Sequence, residues 1–268
     1  MAMIEVRGVT VAYGSIPVLV DANVEIGDGE VVAVLGGNGA GKTTLVRAIS
    51  GSVALCEGSV LLDGVDLKGV PEHERVAKGI GHVPMGRRIF GTMTVLENLK
   101  LGAHLIRKDR RLVAERMDRV FSFFPRLGDR KDQVSATMAG GEQQMLAIGR
   151  ALMTDPRLLI VDEASLSLAP AMVDHVFDVL NEIHQAGASL LLVEQNARAS
   201  LRIADRAYVL ASGRIVFSGR AAEMATDPRL ADSYLGAELA LAGRATVSGR
   251  QPSSGTARAK RAEERNEP

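Results

Sequence analysis

The chain of 268 residues contains a single cysteine, balanced charge and no long apolar run. Cys56 alone cannot form an internal disulfide, which suits a reducing compartment. The 32 Lys and Arg offset 32 Asp and Glu, so no global field draws the chain to nucleic acid, and no nucleic-acid partner is expected. No apolar stretch approaches the ~18 residues a transmembrane helix needs. The opening Met1-Ala-Met-Ile-Glu5 lacks the basic and apolar regions of a secretory signal. Apolar residues make up an ordinary 46%, and the length suffices for one full core with a subdomain.

Against these absences stands Val31–Thr44, VVAVLGGNGAGKTT. Val31 to Leu35 reads as a buried strand. Gly36, Gly37, Asn38, Gly39, Ala40, Gly41, Lys42 and Thr43 fit G-x-x-x-x-G-K-[ST], a phosphate-binding loop. The residues from Thr44 to Ser50 follow as a helix closed by Gly51. Glycines let successive N–H groups turn toward one anion, and the helix N-terminus adds its dipole. Lys42 can neutralise the β- and γ-phosphates of ATP, and the Thr43 hydroxyl can hold Mg²⁺. With glycine at about 7% of residues, an accidental match in a chain this long has odds of roughly one or two in a hundred.

Residues 3–30 alternate as strands, with turns at Tyr13-Gly14 and Gly27-Asp-Gly29. Gly58–Gly64 reads as a short strand, and Ile80–Val83 as a buried strand stopped by Pro84. From Thr94 to Leu127 the pattern is helical and charged. Val113, Met117, Val120, Phe121 and Phe124 make a packing stripe that Pro125 ends. The second half alternates strand and helix. Leu158–Val161, Leu190–Val193 and Ala207–Leu210 are strands, Met172–Ile183 is a helix, and Ser212-Gly213 turns into Ile215–Phe217. The expected fold is α/β: a phosphate-loop NTPase core with a parallel sheet, an antiparallel β subdomain and an inserted α-helical subdomain. From about residue 240 the composition turns to Ala, Gly, Ser and Arg, six basic residues against three acidic, and reads as a disordered tail.

Leu158-Leu-Ile-Val161 delivers Asp162 and Glu163 at its C-terminal end, the sheet edge where ligands bind. Asp162 is placed to hold Mg²⁺ and Glu163 to polarise an attacking water as a general base. Between the two motifs, Ala139-Gly140-Gly141-Glu142 opens a helix that runs to Leu152, a second anion-receptive N-terminus. This segment resembles the signature loop of ATP-binding cassette (ABC) ATPases, usually Leu-Ser-Gly-Gly-Gln. The resemblance covers residues 3–236. It implies that Tyr13 stacks on adenine, that Thr44, Ala139, Gly140, Gly141 and Glu142 join the nucleotide contacts, and that Gln195 stands at the switch position. It further implies an ABC ATPase domain over 1–237, with the helical subdomain at about 86–150 and a tail at 238–268.

Gly86-Arg-Arg-Ile-Phe90, Gly140-Gly-Glu-Gln-Gln-Met145, Ser165–Pro170, Leu192-Val-Glu-Gln-Asn196 and Tyr234-Leu-Gly236 resemble the smaller ATPase subunit of branched-chain amino acid importers. That likeness implies a second ABC ATPase subunit as partner, in a head-to-tail dimer with each ATP between one chain's phosphate loop and the other's signature. It implies two transmembrane permease subunits, an extracytoplasmic solute-binding protein acting indirectly, and a place on the cytoplasmic face of the cell membrane. Urea and short-amide importers use related subunits and stay open as an alternative. Departures from the ABC pattern are Met85 for a glutamine or glutamate, Ala139 for the signature serine, Ala164 for a proline, Gln195 for the histidine and Ser167 for a glycine. Glutamine at 195 is usual in this subfamily. Met85 and Ala139 leave open a nucleotide-gated subunit with little turnover of its own.

Overall fold

The computed structural model describes residues 2–229; Tyr234–Gly236 and the expected tail at 238–268 lie outside the described residues. Strands β1 (Ala2–Tyr13) and β2 (Ile16–Gly27) form a hairpin, followed by β3 (Val31–Leu35) and helix α1 (Lys42–Ser50). Then come β4 (Glu57–Leu62), β5 (Val65–Asp66), α2 (Glu72–Ala77) and β6 (Ile80–Val83). Helices α3 (Val95–Gly102), α4 (Arg110–Phe123), α5 (Pro125–Asp129) and α6 (Gly140–Leu152) separate β6 from β7 (Leu158–Asp162). The chain continues through α7 (Pro170–Gln185), β8 (Ser189–Glu194), α8 (Ala197–Ile203), β9 (Arg206–Ala211), β10 (Arg214–Arg220) and α9 (Ala221–Met224).

Two sheets form, a four-stranded one in the order β2-β1-β4-β5 and a six-stranded one in the order β10-β9-β3-β8-β7-β6. The smaller is antiparallel throughout. In the larger, β9, β3, β8, β7 and β6 run parallel, and β10 pairs antiparallel at one edge. The expected α/β architecture is therefore present. Every residue of β3, β7 and β8 is buried, as strands covered on both faces require. Their side chains alternate between two cores. Val31, Ala33 and Leu35 join Leu159, Val161, Leu190 and Leu192 under the helices. Val32 and Val34 join Leu158, Ile160, Leu191 and Val193 against α1 and the smaller sheet. Leu45, Val46, Ala48 and Ile49 lie in this second core, so α1 is held between the sheets.

The helical stripe packs as its spacing predicts, with Met117, Val120 and Phe124 buried and Val113 and Phe121 packed against them. One difference concerns Pro125. It closes α4 but also opens α5 at its first position, where a missing N–H costs nothing. The helical region is also broken earlier, by a 3₁₀ turn at His104–Ile106 and the Asp109 cap of α4.

The segment between β6 and α3 bends through three successive left-handed residues, Gly86, Arg87 and Arg88, at φ +78°, +65° and +45°. Asn98, fully buried on α3, secures the end of this bend. Its side-chain oxygen accepts from the Phe90 N–H at 2.9 Å, and its amide donates to the Phe90 carbonyl at 3.1 Å and the Thr94 carbonyl at 3.0 Å. Thr94 caps α3 reciprocally with Glu97. Asn98→Ala leaves several buried backbone groups without partners. It should destabilise the chain by about 2–3 kcal/mol, lowering the melting temperature by roughly 4–10 °C in a calorimetric scan.

Candidate functional site

The C-terminal ends of β3, β8 and β7 lie side by side, with Leu35 paired to Glu194 and Asp162 paired to Val193. The loop Gly36–Gly41 leaves β3 here. Its geometry forbids side chains at two glycines. A Cβ on Gly36 would lie 2.4 Å from the Leu210 carbonyl oxygen. Gly41 takes φ +107° as the residue before α1, with the Val18 carbonyl close by. No side chain caps α1, so its first N–H groups are left to an external acceptor.

Lys42 turns back into this loop. Its buried ammonium donates to the carbonyls of Gly36 at 2.7 Å and Gly37 at 2.9 Å and lies 2.9 Å from Glu163 Oε1. Both side chains of the pair are buried. Removing one partner of such a pair typically costs about 3–5 kcal/mol. Glu163 itself stands in the left-handed region at φ +54°, a strain of about 1–2 kcal/mol for a residue with a Cβ. Its N–H donates to the Val193 carbonyl at 2.8 Å, which fastens the turn to β8.

Asp162 is 2% exposed, and its Oδ1 has no hydrogen-bond partner among the described residues. Burial pushes its carboxyl up to about 6; the Thr43 hydroxyl and the charges of Lys42 and Arg47 pull it down, and Glu163 pushes it up. A buried, unpaired carboxylate oxygen beside a threonine hydroxyl suits a divalent cation. Among the described residues no group of three or more His, Cys, Asp and Glu could hold a metal, so most ligands of such an ion would be phosphate oxygens and water.

Tyr13, at the end of β1, is 42% exposed, and its hydroxyl accepts from Arg47 at 3.2 Å. That bond lowers the phenol pKa, with burial working against it and Thr44 helping. Thr44 is buried on α1. Met85 is exposed and lines a cavity of about 750 Å³ with Thr43, Asp162, Phe90, Leu105 and Arg150. Gln195 is exposed between β8 and α8.

Ala139, Gly140, Gly141 and Glu142 stand apart at the start of α6. Among the described residues, no hydrogen bond or ion pair joins them to residues 36–44 or to Asp162 and Glu163. The Glu142 carboxylate turns back onto its own helix. It accepts from the Ala139 N–H at 3.2 Å and from Arg130 at 3.3 Å. Ala139 offers no side-chain acceptor in return, so the cap is one-sided. The guanidinium of Arg87 lies over Gly140, and its Nη1 donates to Gln143 Oε1 at 3.3 Å.

No motif assigns a role to two residues at the site, Arg47 and Glu194, although Glu194 falls within the Leu192–Asn196 segment of the resemblance. Arg47 lies one helical turn after Thr43, a spacing that places both on one face of α1. Glu194 ends an apolar strand just as Asp162 does, and that parallel is the signal that could have found it. Its carboxylate is fully buried and pushed up to about 7, first by burial and further by Glu163, while the hydroxyl and N–H of Ser165 pull it down.

Residues 19–166 match the ABC transporter family. The chain is 46% identical over 234 residues to the high-affinity branched-chain amino acid transport ATP-binding protein BraG of Pseudomonas aeruginosa, covering 87% of this chain and 100% of the relative. It is 36% identical over 213 residues to the probable branched-chain amino acid transport ATP-binding protein LivF of Archaeoglobus fulgidus, covering 79% and 89%. Among solved structures, the ADP conformation of an ATP-binding cassette of an ABC transporter superimposes with a TM-score of 0.77 at 26% identity, covering 88% and 99%.

The shifted Glu194 carboxyl yields a pH prediction. Between the ordinary glutamate value of 4.5 and about 7 the folded chain holds a proton that the unfolded chain has released. Stability from this group therefore falls as pH rises through that window. His82, lowered to about 4 by burial, acts in the opposite sense and is common to both proteins compared. The melting temperature of the unsubstituted chain should thus fall relative to that of Glu194→Gln between pH 4.5 and 7, as read by thermal denaturation at stepped pH.

Proposed function

Because the chain belongs to the ABC transporter family, we propose that it is the ATP-binding and ATP-hydrolysing subunit of an importer for branched-chain amino acids. The observation that carries this reading is the buried Lys42 ammonium among the Gly36 and Gly37 carbonyls and Glu163, beside the unpaired Asp162 oxygen. The N–H groups of Gly37 to Gly41 and the start of α1 receive the phosphates of ATP, and Lys42 leaves its carbonyl acceptors for the β- and γ-phosphates. Thr43 and Asp162 hold Mg²⁺, which when bound neutralises phosphate charge. Tyr13 stacks on adenine, with Thr44 and Arg47 beside it. Glu163 accepts the proton of the attacking water, held in place by its left-handed turn. Gln195, at the end of β8, contacts the γ-phosphate.

That no hydrogen bond or ion pair joins Ala139–Glu142 to this cluster, among the described residues, fits a head-to-tail dimer. The N-terminus of α6 meets the ATP held by the phosphate loop of a second ABC ATPase subunit, and the reverse. Two permease subunits complete the importer at the cytoplasmic face of the membrane, and an extracytoplasmic binding protein selects the solute. Phe90, Leu101 and Leu105 are exposed apolar side chains around the 750 Å³ cavity that reaches Thr43 and Asp162. An apolar surface of this kind suits a permease contact, and its continuity with the site offers a route for coupling. The ATPase domain spans 1–237, with its helical subdomain at about 86–150.

Met85 favours a second reading, a nucleotide-gated subunit with little turnover. A thioether in the cavity of Thr43 and Asp162 positions water poorly. Turnover by the purified chain, with and without its partner and with Glu163→Gln as the blank, separates the two. Lys42→Ala should weaken ATP binding by about 100-fold or more, read by fluorescent-nucleotide titration. Glu163→Gln should keep binding, lose turnover and sediment as a dimer only with ATP. Retained tight binding in Lys42→Ala, or no ATP-dependent association of Glu163→Gln either alone or mixed with its partner subunit, would overturn the proposal.

A further inference from the structure

Glu194 is buried at the end of β8, and among the described residues its carboxylate makes no hydrogen bond or ion pair with Lys42, though the Glu163 charge acts on it. Its carboxylate accepts twice from one residue. The Ser165 N–H donates to Oε1 at 3.1 Å, and the Ser165 hydroxyl to Oε2 at 2.6 Å. Its backbone carbonyl accepts from the Gly36 N–H at 3.3 Å. One residue thus touches both the first residue of the phosphate loop and the turn that follows β7.

That turn needs fastening. Glu163 and Ser167 both stand in the left-handed region, at φ +54° and +59°. A chain with two such residues relaxes unless its neighbours hold it. Two ties to β8 do so. The first is the Glu163 N–H to the Val193 carbonyl at 2.8 Å. The second is the Glu194 carboxylate on Ser165. Above about pH 7, where its proton is released, an acid suits the second tie better than an amide, because both of its oxygens then accept and both of the Ser165 groups donate. Ionised acceptors also make the stronger bonds.

We propose that Glu194 is a positioning residue: by gripping Ser165 it fixes the turn that carries Glu163, and so sets the Glu163 carboxylate beside Lys42. The proposal rests on the ATPase reading for its catalytic consequence. The grip itself stands apart from that reading, because it is made within one chain and requires no nucleotide.

The test uses the full chain carrying Glu194→Ala, Glu194→Gln, Ser165→Ala or Glu194→Ala with Ser165→Ala. In Glu194→Ala, kcat for ATP should fall about tenfold while KM stays within about twofold, because orientation of the base is lost and ground-state binding is not. Ser165→Ala should lower kcat about threefold, and the double variant should be no worse than Glu194→Ala, since both changes remove one interaction. Glu194→Gln should recover part of the loss. Hydrogen exchange supplies a readout without turnover: amides of residues 163–167 should exchange about tenfold faster in Glu194→Ala.

Unchanged exchange at 163–167 would overturn the grip. Faster exchange with unchanged kcat, a change in KM alone, or additive losses in the double variant would overturn the positioning role. If Glu194→Ala does not fold, Ser165→Ala and Glu194→Gln decide: unchanged kcat and exchange in both sink the proposal. Absence of turnover in the unsubstituted chain, both alone and with its partner ATPase subunit, would overturn the proposed activity and with it the catalytic consequence, while exchange still decides the grip.

Discussion

A buried ammonium must be surrounded by acceptors, and the need of Lys42 for them organises this molecule. Two of its partners are carbonyls of the loop that precedes it, and the third is a carboxylate from a strand two places away in the sheet. That arrangement requires β3 and β7 to end at the same level, with β8 between them as a spacer. It requires α1 to start at once after the glycine loop and to be clamped from both sides, which the second hydrophobic core supplies. Unpaired, an ammonium in this position would carry the full cost of a buried charge.

The same economy explains where the backbone is forced. Gly41 and Glu163 are both left-handed, and each lies directly before or after an element that ends in the cluster. Gly41 adopts its conformation freely. Glu163 does not, and its turn is tied to β8 through the carbonyl of Val193 and the carboxylate of Glu194. The strain is local and its restraint lies on the neighbouring strand, so the carboxylate that faces Lys42 is held by groups that do not themselves touch the ammonium.

Much of this was legible in the sequence. Leu158–Glu163 is weak alone, since strand ends often carry acids, and gains its meaning from the phosphate loop. Val31–Thr44 declares itself, because an apolar run followed by glycines and lysine has few other uses. The Gly140-Gly141 start of α6 is equally plain. What escapes local reading is set by distant partners. Ser165 and Glu194 lie 29 residues apart and meet only because β7 and β8 are neighbours. Helix α2 has no apolar periodicity. It is held by Arg75, whose guanidinium donates to the carbonyls of Ala48, Ile49, Leu67 and Val70 and so finishes the end of α1. The double role of Pro125 is local by contrast: Phe124 leaves helical geometry because the proline ring crowds the residue before it.

Helix α6 is a rod of 13 residues, ~20 Å long, with different business at each end. At one end are the bare amides of Gly140 and Gly141. Near the other, Arg150 stacks on Phe90 at 5.2 Å and donates to the Arg88 carbonyl at 2.8 Å. Between them Gly149 lets Val120 and Leu99 press against the helix, and Gly102 brings α3 against the Arg150 carbonyl, so closely that any Cβ would collide. The glycine end is gripped as well: Gln143 donates to the Ser135 carbonyl at 3.2 Å and accepts from Arg87 at 3.3 Å, and Met172 packs on Gly141 so closely that a Cβ would collide. Contacts this close do not compress, so a displacement of the aromatic ring is carried to the glycines by the rod as a whole and not absorbed along its length.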